Sequence, residues 1–165
     1  MQSQNLSREQ LLALGFSSVG HNVKVSHRAV FHAISGSLGD GARIDDFAVL
    51  TGHVEVGAGA HISPFCFLGG TGGRIVMGRG AGLSTHVSIF TKSDEYQQPG
   101  LGGERSKVTG DVIIGDYSIF GAQCVVLPGS VVGANCSIGV GCVVGGEVAE
   151  GSRLVSMGIK NVRLQ

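Results

Sequence analysis

The chain has 165 residues, 29 of them glycine, and its 12 basic residues balance 12 acidic ones. That length suits one domain with a real core. So much glycine, lacking an every-third-residue period and set among abundant Val, Ile and Leu, argues against both collagen and disorder and implies many turns. No Lys/Arg cluster follows a phosphate backbone, no run of eighteen residues is apolar, and "MQSQNLSREQLLALGF" lacks the charged-then-apolar form of a leader, so the expectation is a cytoplasmic protein with no nucleic-acid partner and no membrane insertion.

The first predicted element is a short helix in "SREQLLALG", with Ser7 as N-cap, Gln10 as its capping-box partner and Gly15 at its end. Residues 1–18 are read as a helical cap over the open end of a repeat that starts at Val19. From there a beat of six begins: Val19, Val25 and Phe31, then Leu38, Ile44 and Leu50, then Val56, Ile62 and Leu68, then Met77, Leu83 and Ile89. Small insertions separate some triplets. After a longer break the beat resumes at Ile114, Phe120, Val126, Val132, Ile138 and Val144. Four places after each of these comes a smaller side chain, namely Ser118, Cys124, Ser130, Cys136, Cys142 and Val148.

A period of six is no helix period, and inward residues two apart within a unit fit a short strand. The Gly, Asn and Asp residues of "LGDGA", "IGD" and "VGAN" supply turns, so each hexapeptide is one strand and one corner. Three units extend roughly 60 Å at ~3.3 Å per residue, enough for one triangular coil with sides of about 20 Å. Six triplets predict about six coils, stacked at ~4.8 Å and burying a continuous apolar column over residues 19–148. The narrow bore accounts for the pairing of one bulky and one small residue per side. Residues 149–165 are read as a C-terminal tail. The four cysteines, Cys66, Cys124, Cys136 and Cys142, fall at small inward positions as reduced, compact fillers, and Cys124 and Cys142 are expected to stack in adjacent coils.

Between Ile89 and Ile114 the chain spends twenty-five residues where the beat needs six. The surplus, an insertion over 91–112, must leave the prism wall. It holds charge, Tyr96 and a turn at Pro99-Gly100, and an excursion of that length from a regular scaffold reads as functional. A flat-sided prism has no pocket of its own, so an arm reaching over a neighbour is one way to enclose a substrate.

The repeat resembles the hexapeptide-repeat acyltransferases, and the run "HISPFCFLGGTGGRIVMGRGAGLSTHVSIFTKSDEY" is most similar to the sugar acetyltransferases of bacterial surface-polysaccharide synthesis. The resemblance implies an all-β, left-handed parallel β-helix, a homotrimer, and acetyl-CoA as co-substrate in a cleft between prisms, with no metal expected. Left-handedness comes from the resemblance alone. It also implies acetyl transfer to a hydroxyl or amine of a sugar or nucleotide-linked sugar.

Such transfer needs a base for the acceptor's proton and N–H donors for the carbonyl oxygen. Related enzymes carry a histidine after the strand that opens the arm, where this chain, in "IFTKSDE", has Asp94. His86 is the nearest substitute, three residues past inward Leu83 and therefore outward at a corner, and His61 precedes Ile62 one coil below. An imidazole with its ordinary pKa near ~6.5 accepts a proton at neutral pH more readily than an exposed aspartate near ~3.9. His86 is therefore favoured as base and Asp94 as orienting partner or substrate contact, with His61, Asp94 or the substrate itself as alternatives. The resemblance puts the oxyanion donor at Gly121-Ala122 and cofactor contacts at Gly158 and Lys160 in "SMGIKNVRL", where Lys160 and Arg163 would meet CoA phosphates.

Two other classes compete. One is a noncatalytic β-helix scaffold. The other is a zinc protein of the γ-type carbonic anhydrase kind, using His27, His32 and either His53 or His21.

Overall fold

The computed structural model describes residues 4–94 and 107–156. The chain winds as a triangular parallel β-helix behind one short helix, α1 (Arg8–Leu14). Ser7 and Gln10 form the reciprocal capping box and Gly15 ends the helix at φ +127°. Leu11 and Phe16 are buried, and Phe16 meets Phe31 edge-on at 5.8 Å, so the helix plugs the first coil with apolar side chains.

Each turn of the chain contributes a strand to three faces. The first face runs from Ser18–Val19 to Glu147–Val148 and the second, a seven-stranded sheet, from Lys24–Val25 to Arg153–Leu154. On the third lie Ser88–Phe90, Val125–Val126, Val143–Val144 and the leading halves of three longer strands. Residues of the beat stack in register, as in Ile44 on Ile62 on Leu83 on Phe120 on Ile138. All of them are buried except Phe31, which packs half-buried against the core. Ser118 and Ser130 occupy the predicted small positions with their hydroxyls bonded, Ser118 Oγ donating to Gly133 O at 2.6 Å. All four cysteines are free and buried, and burial pushes the Cys66 thiol up to about 11. Coils stack closely where the chain leaves the first face. A Cβ on Gly39 would lie 2.5 Å from Ala58 N, so only glycine fits.

The structure departs from the sequence expectation in two ways. Three strands, Val30–Leu38, Val49–Val56 and Phe67–Met77, run unbroken through the corner between the third and first faces, where one strand per hexapeptide is expected. The insertions after Phe31, Leu68 and Ile89 all fall at this corner, and the first two pair with the coil between them through register shifts at His32/Ser35 and Gly52/His53. The second departure concerns the end of the prism. Val148 pairs with Val132 and so holds a bulky position of the first face, not a small one, because the corner at Gly145-Gly146 is two residues short. Leu154 then stacks on Ile138, and a partial seventh coil occupies what the beat alone assigns to the tail.

The arm is rooted at that same third-to-first corner. Lys92–Asp94 pairs antiparallel with Lys107–Thr109, the base of a two-stranded projection. Thr91 fixes the root: fully buried, its Oγ1 donates to Gly69 O at 2.6 Å and accepts the Gly72 N–H at 3.0 Å. Where the chain rejoins the wall, Asp111 accepts the Arg74 N–H at 2.7 Å and pairs with its guanidinium at 3.1 Å.

Candidate active site

The corner between the second and third faces carries a chemically distinctive group of side chains. From the second coil to the sixth its third residue takes a left-handed conformation, and in three successive coils that residue is Phe47, Phe65 and His86, at φ +62°, +62° and +59°. Coil stacking puts their rings one above another, Phe47 to Phe65 at 5.2 Å and Phe65 to His86 at 5.0 Å, with the Arg28 guanidinium 5.9 Å from Phe47. The imidazole is thus held flat at an exposed corner.

Its tautomer is set by its neighbours. Thr85 Oγ1 donates its single hydrogen to Pro64 O at 2.8 Å and lies 2.9 Å from His86 Nδ1. With that hydrogen committed, Thr85 Oγ1 accepts, so Nδ1 carries the imidazole hydrogen and Nε2 keeps its lone pair. Nε2 has no bonding partner among the described residues. That is the state a general base requires.

Gly121 and Ala122 lie in the same corner one coil on, where Gln123 N donates to Thr85 O at 3.1 Å. The expectation of an oxyanion donor needs correction at Gly121, whose N–H already donates to Ile138 O at 2.7 Å as part of the wall. The Ala122 N–H makes no bond among the described residues, as at Thr85 and Val140 in the coils on either side, and it neighbours the coil step that holds His86.

The other candidates lie elsewhere. Asp94, exposed, pairs with Lys107 across the root of the arm, beside Thr51, Thr71, Lys92 and the tilted ring pair Phe67–Phe90 at 5.4 Å. Within one chain the whole third face separates it from His86, so the structure does not bring these two together. His61 opens its second-face strand and lies over Gly82, where any Cβ would collide with the imidazole. Burial, followed by the adjacent Arg43, holds its pKa below the ordinary value, while Asp45 opposes this. His61 and His86 therefore stand at opposite edges of the second face. Gly158, Lys160 and Arg163 lie outside the described residues.

Three of the four histidines of the zinc reading, His27, His21 and His53, are engaged separately. His27 Nδ1 meets Gln4 O at 2.8 Å, His21 pairs with Asp40 at 3.4 Å, and His53 bridges Ser35 and Glu55 at 3.1 and 2.9 Å. Among the described residues no three His, Cys, Asp or Glu side chains are placed to hold a metal. No helix among them is long and apolar enough to cross a membrane.

Comparison with known proteins bears on this geometry. The bacterial transferase hexapeptide family (six repeats) matches residues 36–70. The chain is 33% identical over 133 residues to the dTDP-4-amino-4,6-dideoxy-D-glucose acyltransferase of Escherichia coli, covering 74% of this chain and 69% of that protein. The chain belongs to the hexapeptide-repeat acyltransferases. AntD, an N-acyltransferase from Bacillus cereus solved with dTDP and 3-hydroxybutyryl-CoA, is similar in structure at a TM-score of 0.80 and 30% identity, over 90% of this chain and 83% of AntD. The shared architecture is the left-handed β-helix. A maltose O-acetyltransferase from Clostridium difficile 630 shares the fold at a TM-score of 0.59 and 22% identity, over 88% of this chain and 68% of that one.

Thr85, which fixes the His86 tautomer, is not picked out by sequence reasoning. Its only signal is adjacency in "STHV", and its orientation depends on Pro64 O one coil below.

Proposed function

We propose that this hexapeptide-repeat acyltransferase moves an acyl group from acyl-CoA to the amino group of a nucleotide-linked amino sugar. The observation that carries the reading is the Thr85–His86 pair, which leaves a bare Nε2 at an exposed corner whose next coil carries Ala122. The similarity to the E. coli acyltransferase and to AntD supports a dTDP-linked 4-amino-4,6-dideoxy sugar as acceptor and a CoA thioester as donor. In the reaction the amine lone pair attacks the thioester carbonyl, and Ala122 N–H stabilises the oxyanion that forms. His86 Nε2 takes the proton released by the new ammonium and returns it to the departing CoA sulfur as the tetrahedral intermediate collapses.

Asp94 supplies negative charge near a cationic or proton-losing amine. This chain has Ser84 and Asp94 at the same spacing as the serine and aspartate replaced in AntD variants. Because His86 and Asp94 stand at opposite edges of one face, their convergence requires the arm of a neighbouring copy, and a homotrimer is the assembly we infer. Gly158 and Lys160 are proposed contacts for CoA, with Lys160 and Arg163 meeting its phosphates. A cytoplasmic supply of acyl-CoA and a role in surface-polysaccharide synthesis fit the same reading.

Incubating the purified protein with acetyl-CoA and dTDP-4-amino-4,6-dideoxyglucose, with free thiol as readout, tests the proposal. Thiol release that depends on the sugar is expected. No release with this or any other amino- or hydroxyl-bearing nucleotide sugar defeats it. Mixing His86→Ala chains with Asp94→Ala chains tests the composite site, since co-assembled trimers should recover part of the activity that each variant alone lacks.

A further inference from the structure

The second face carries a feature with no part in the chemistry above. At the start of three successive strands, Lys24 pairs in register with Arg43 and Arg43 with His61, so three nitrogen-bearing side chains stand in one column about 4.8 Å apart. They line a groove with Asn22, Gly41 and Gly59 along the corner between the first and second faces. Gly41 and Gly59 take left-handed conformations at φ +68° and +66°, and a Cβ on Gly59 would project into open space, so the floor of the groove is bare backbone. One coil further along that corner the exposed Tyr117 ring lies against Gly80.

The charge in the column is only partly met. Asp45 approaches Arg43 through Nε at 3.2 Å, leaving the two terminal nitrogens of the guanidinium, and Lys24 has no ion-pair partner among the described residues. Gly82 beyond His61 has no side chain to block the approach. Two fixed cations, Lys24 and Arg43, with the His61 imidazole as a hydrogen-bonding neighbour and accessible backbone beside them, suit an extended dianion whose charges are a few ångströms apart. A single carboxylate would engage one member only.

We propose that this groove binds the diphosphate of the nucleotide-linked acceptor, with Arg43 as principal contact and Lys24 and His61 flanking it. The assignment rests on the acyltransferase reading and gives that reading an orientation for its substrate. From Gly82, against which His61 lies, to His86 is four residues, at most roughly 13 Å of extended chain, and Arg43 stands two coils, roughly 10 Å, before Gly82. A hexose linked to a diphosphate, met at its ends by the long Arg43 side chain and the His86 imidazole, spans the remainder. With its phosphates at the Arg43 edge, the sugar lies across the second face and presents its amine to His86 Nε2 at the other edge. His61 is then a binding residue and not a second base.

A diphosphate also occurs in CoA, so the test separates the two sources. Binding of dTDP and of CoA is measured by calorimetry on the wild type, Arg43→Gln and Lys24→Gln, with melting temperatures confirming that each exposed substitution leaves the prism folded. Arg43→Gln should weaken dTDP at least tenfold and Lys24→Gln severalfold, with CoA affinity unchanged within twofold. Wild-type affinity for dTDP in Arg43→Gln overturns the groove assignment. So does a loss confined to CoA, which would give the groove to the donor. Wild-type protein that binds neither nucleotide overturns the acyltransferase substrate reading itself, an outcome distinct from failure of the groove alone.

Discussion

His86 Nδ1 lies 2.9 Å from Thr85 Oγ1, whose hydrogen is already given to Pro64 O. This fixes which imidazole nitrogen is bare. His86→Ala should lower turnover about a hundredfold or more with little change in acyl-CoA affinity, as removal of a general base does. Thr85→Val should cost severalfold, because the imidazole then divides between tautomers, and Thr85→Ser should restore the rate. Steady-state kinetics on the three variants decide the matter, and wild-type turnover in His86→Ala would remove the base from this corner.

The prism and its corners should respond differently to truncation. Phe120 is among the largest fully buried side chains, and Phe120→Ala should destabilise by about 3–5 kcal/mol. Phe47, in the exposed ring stack, should cost only about 0.5–1.5 kcal/mol for the lost pair. Ile138→Asp, which buries a charge with no counter-ion, should abolish folding. Denaturant titration ranks the first two, and equal losses at Phe120 and Phe47 would contradict the assigned core.

How far the sequence exposes this architecture depends on which side chains record it. Inward residues such as Ile44 and Leu83 follow a strict interval because the bore admits little else, so the coils and the arm are legible directly. The shortening at Gly145-Gly146 is not, because Val148 is apolar and fits either inward position until its pairing with Val132 is seen. His86 is legible as an outward corner residue. The column Lys24–Arg43–His61 is not, since an insertion after Phe31 disturbs its interval and only stacking brings the three together. The Gly121 N–H illustrates a further limit, because a backbone donor spent on Ile138 O looks in sequence like one that is available.

The root of the arm should depend on Thr91. Thr91→Val keeps the shape but leaves the Gly72 N–H and Gly69 O without that partner, a loss of about 1–3 kcal/mol. Hydrogen exchange should accelerate around Gly72 and Gly110, whose N–H bonds to Thr91 O at 3.0 Å. Unchanged exchange there would show that the hydroxyl is not the anchor.

Acid should act where the arm rejoins the wall. The Arg74 backbone N–H, and then its side chain, hold the Asp111 carboxyl below the usual carboxylate range. A carboxyl whose folded pKa lies below its unfolded value stabilises fully above the unfolded pKa of ~3.9 and loses that stabilisation as pH falls through the lower folded value. Melting temperature between pH 2 and 6 should therefore fall less steeply at the acid end for Asp111→Asn than for wild type. Identical acid limbs would show that this carboxylate contributes nothing.

Every insertion enters at one corner, and this governs the entropy of closing the chain. Partners in ordinary neighbouring coils, such as Arg28 and Asp46, are 18 residues apart, whereas Arg74 and Asp111, which bracket the arm, are 37 apart. Doubling a loop adds only about 0.6 kcal/mol to its closure. The arm is thus nearly neutral toward the fold that carries it. Its length and residues can change with the acceptor to be enclosed while the winding of the coils on either side stays as it is.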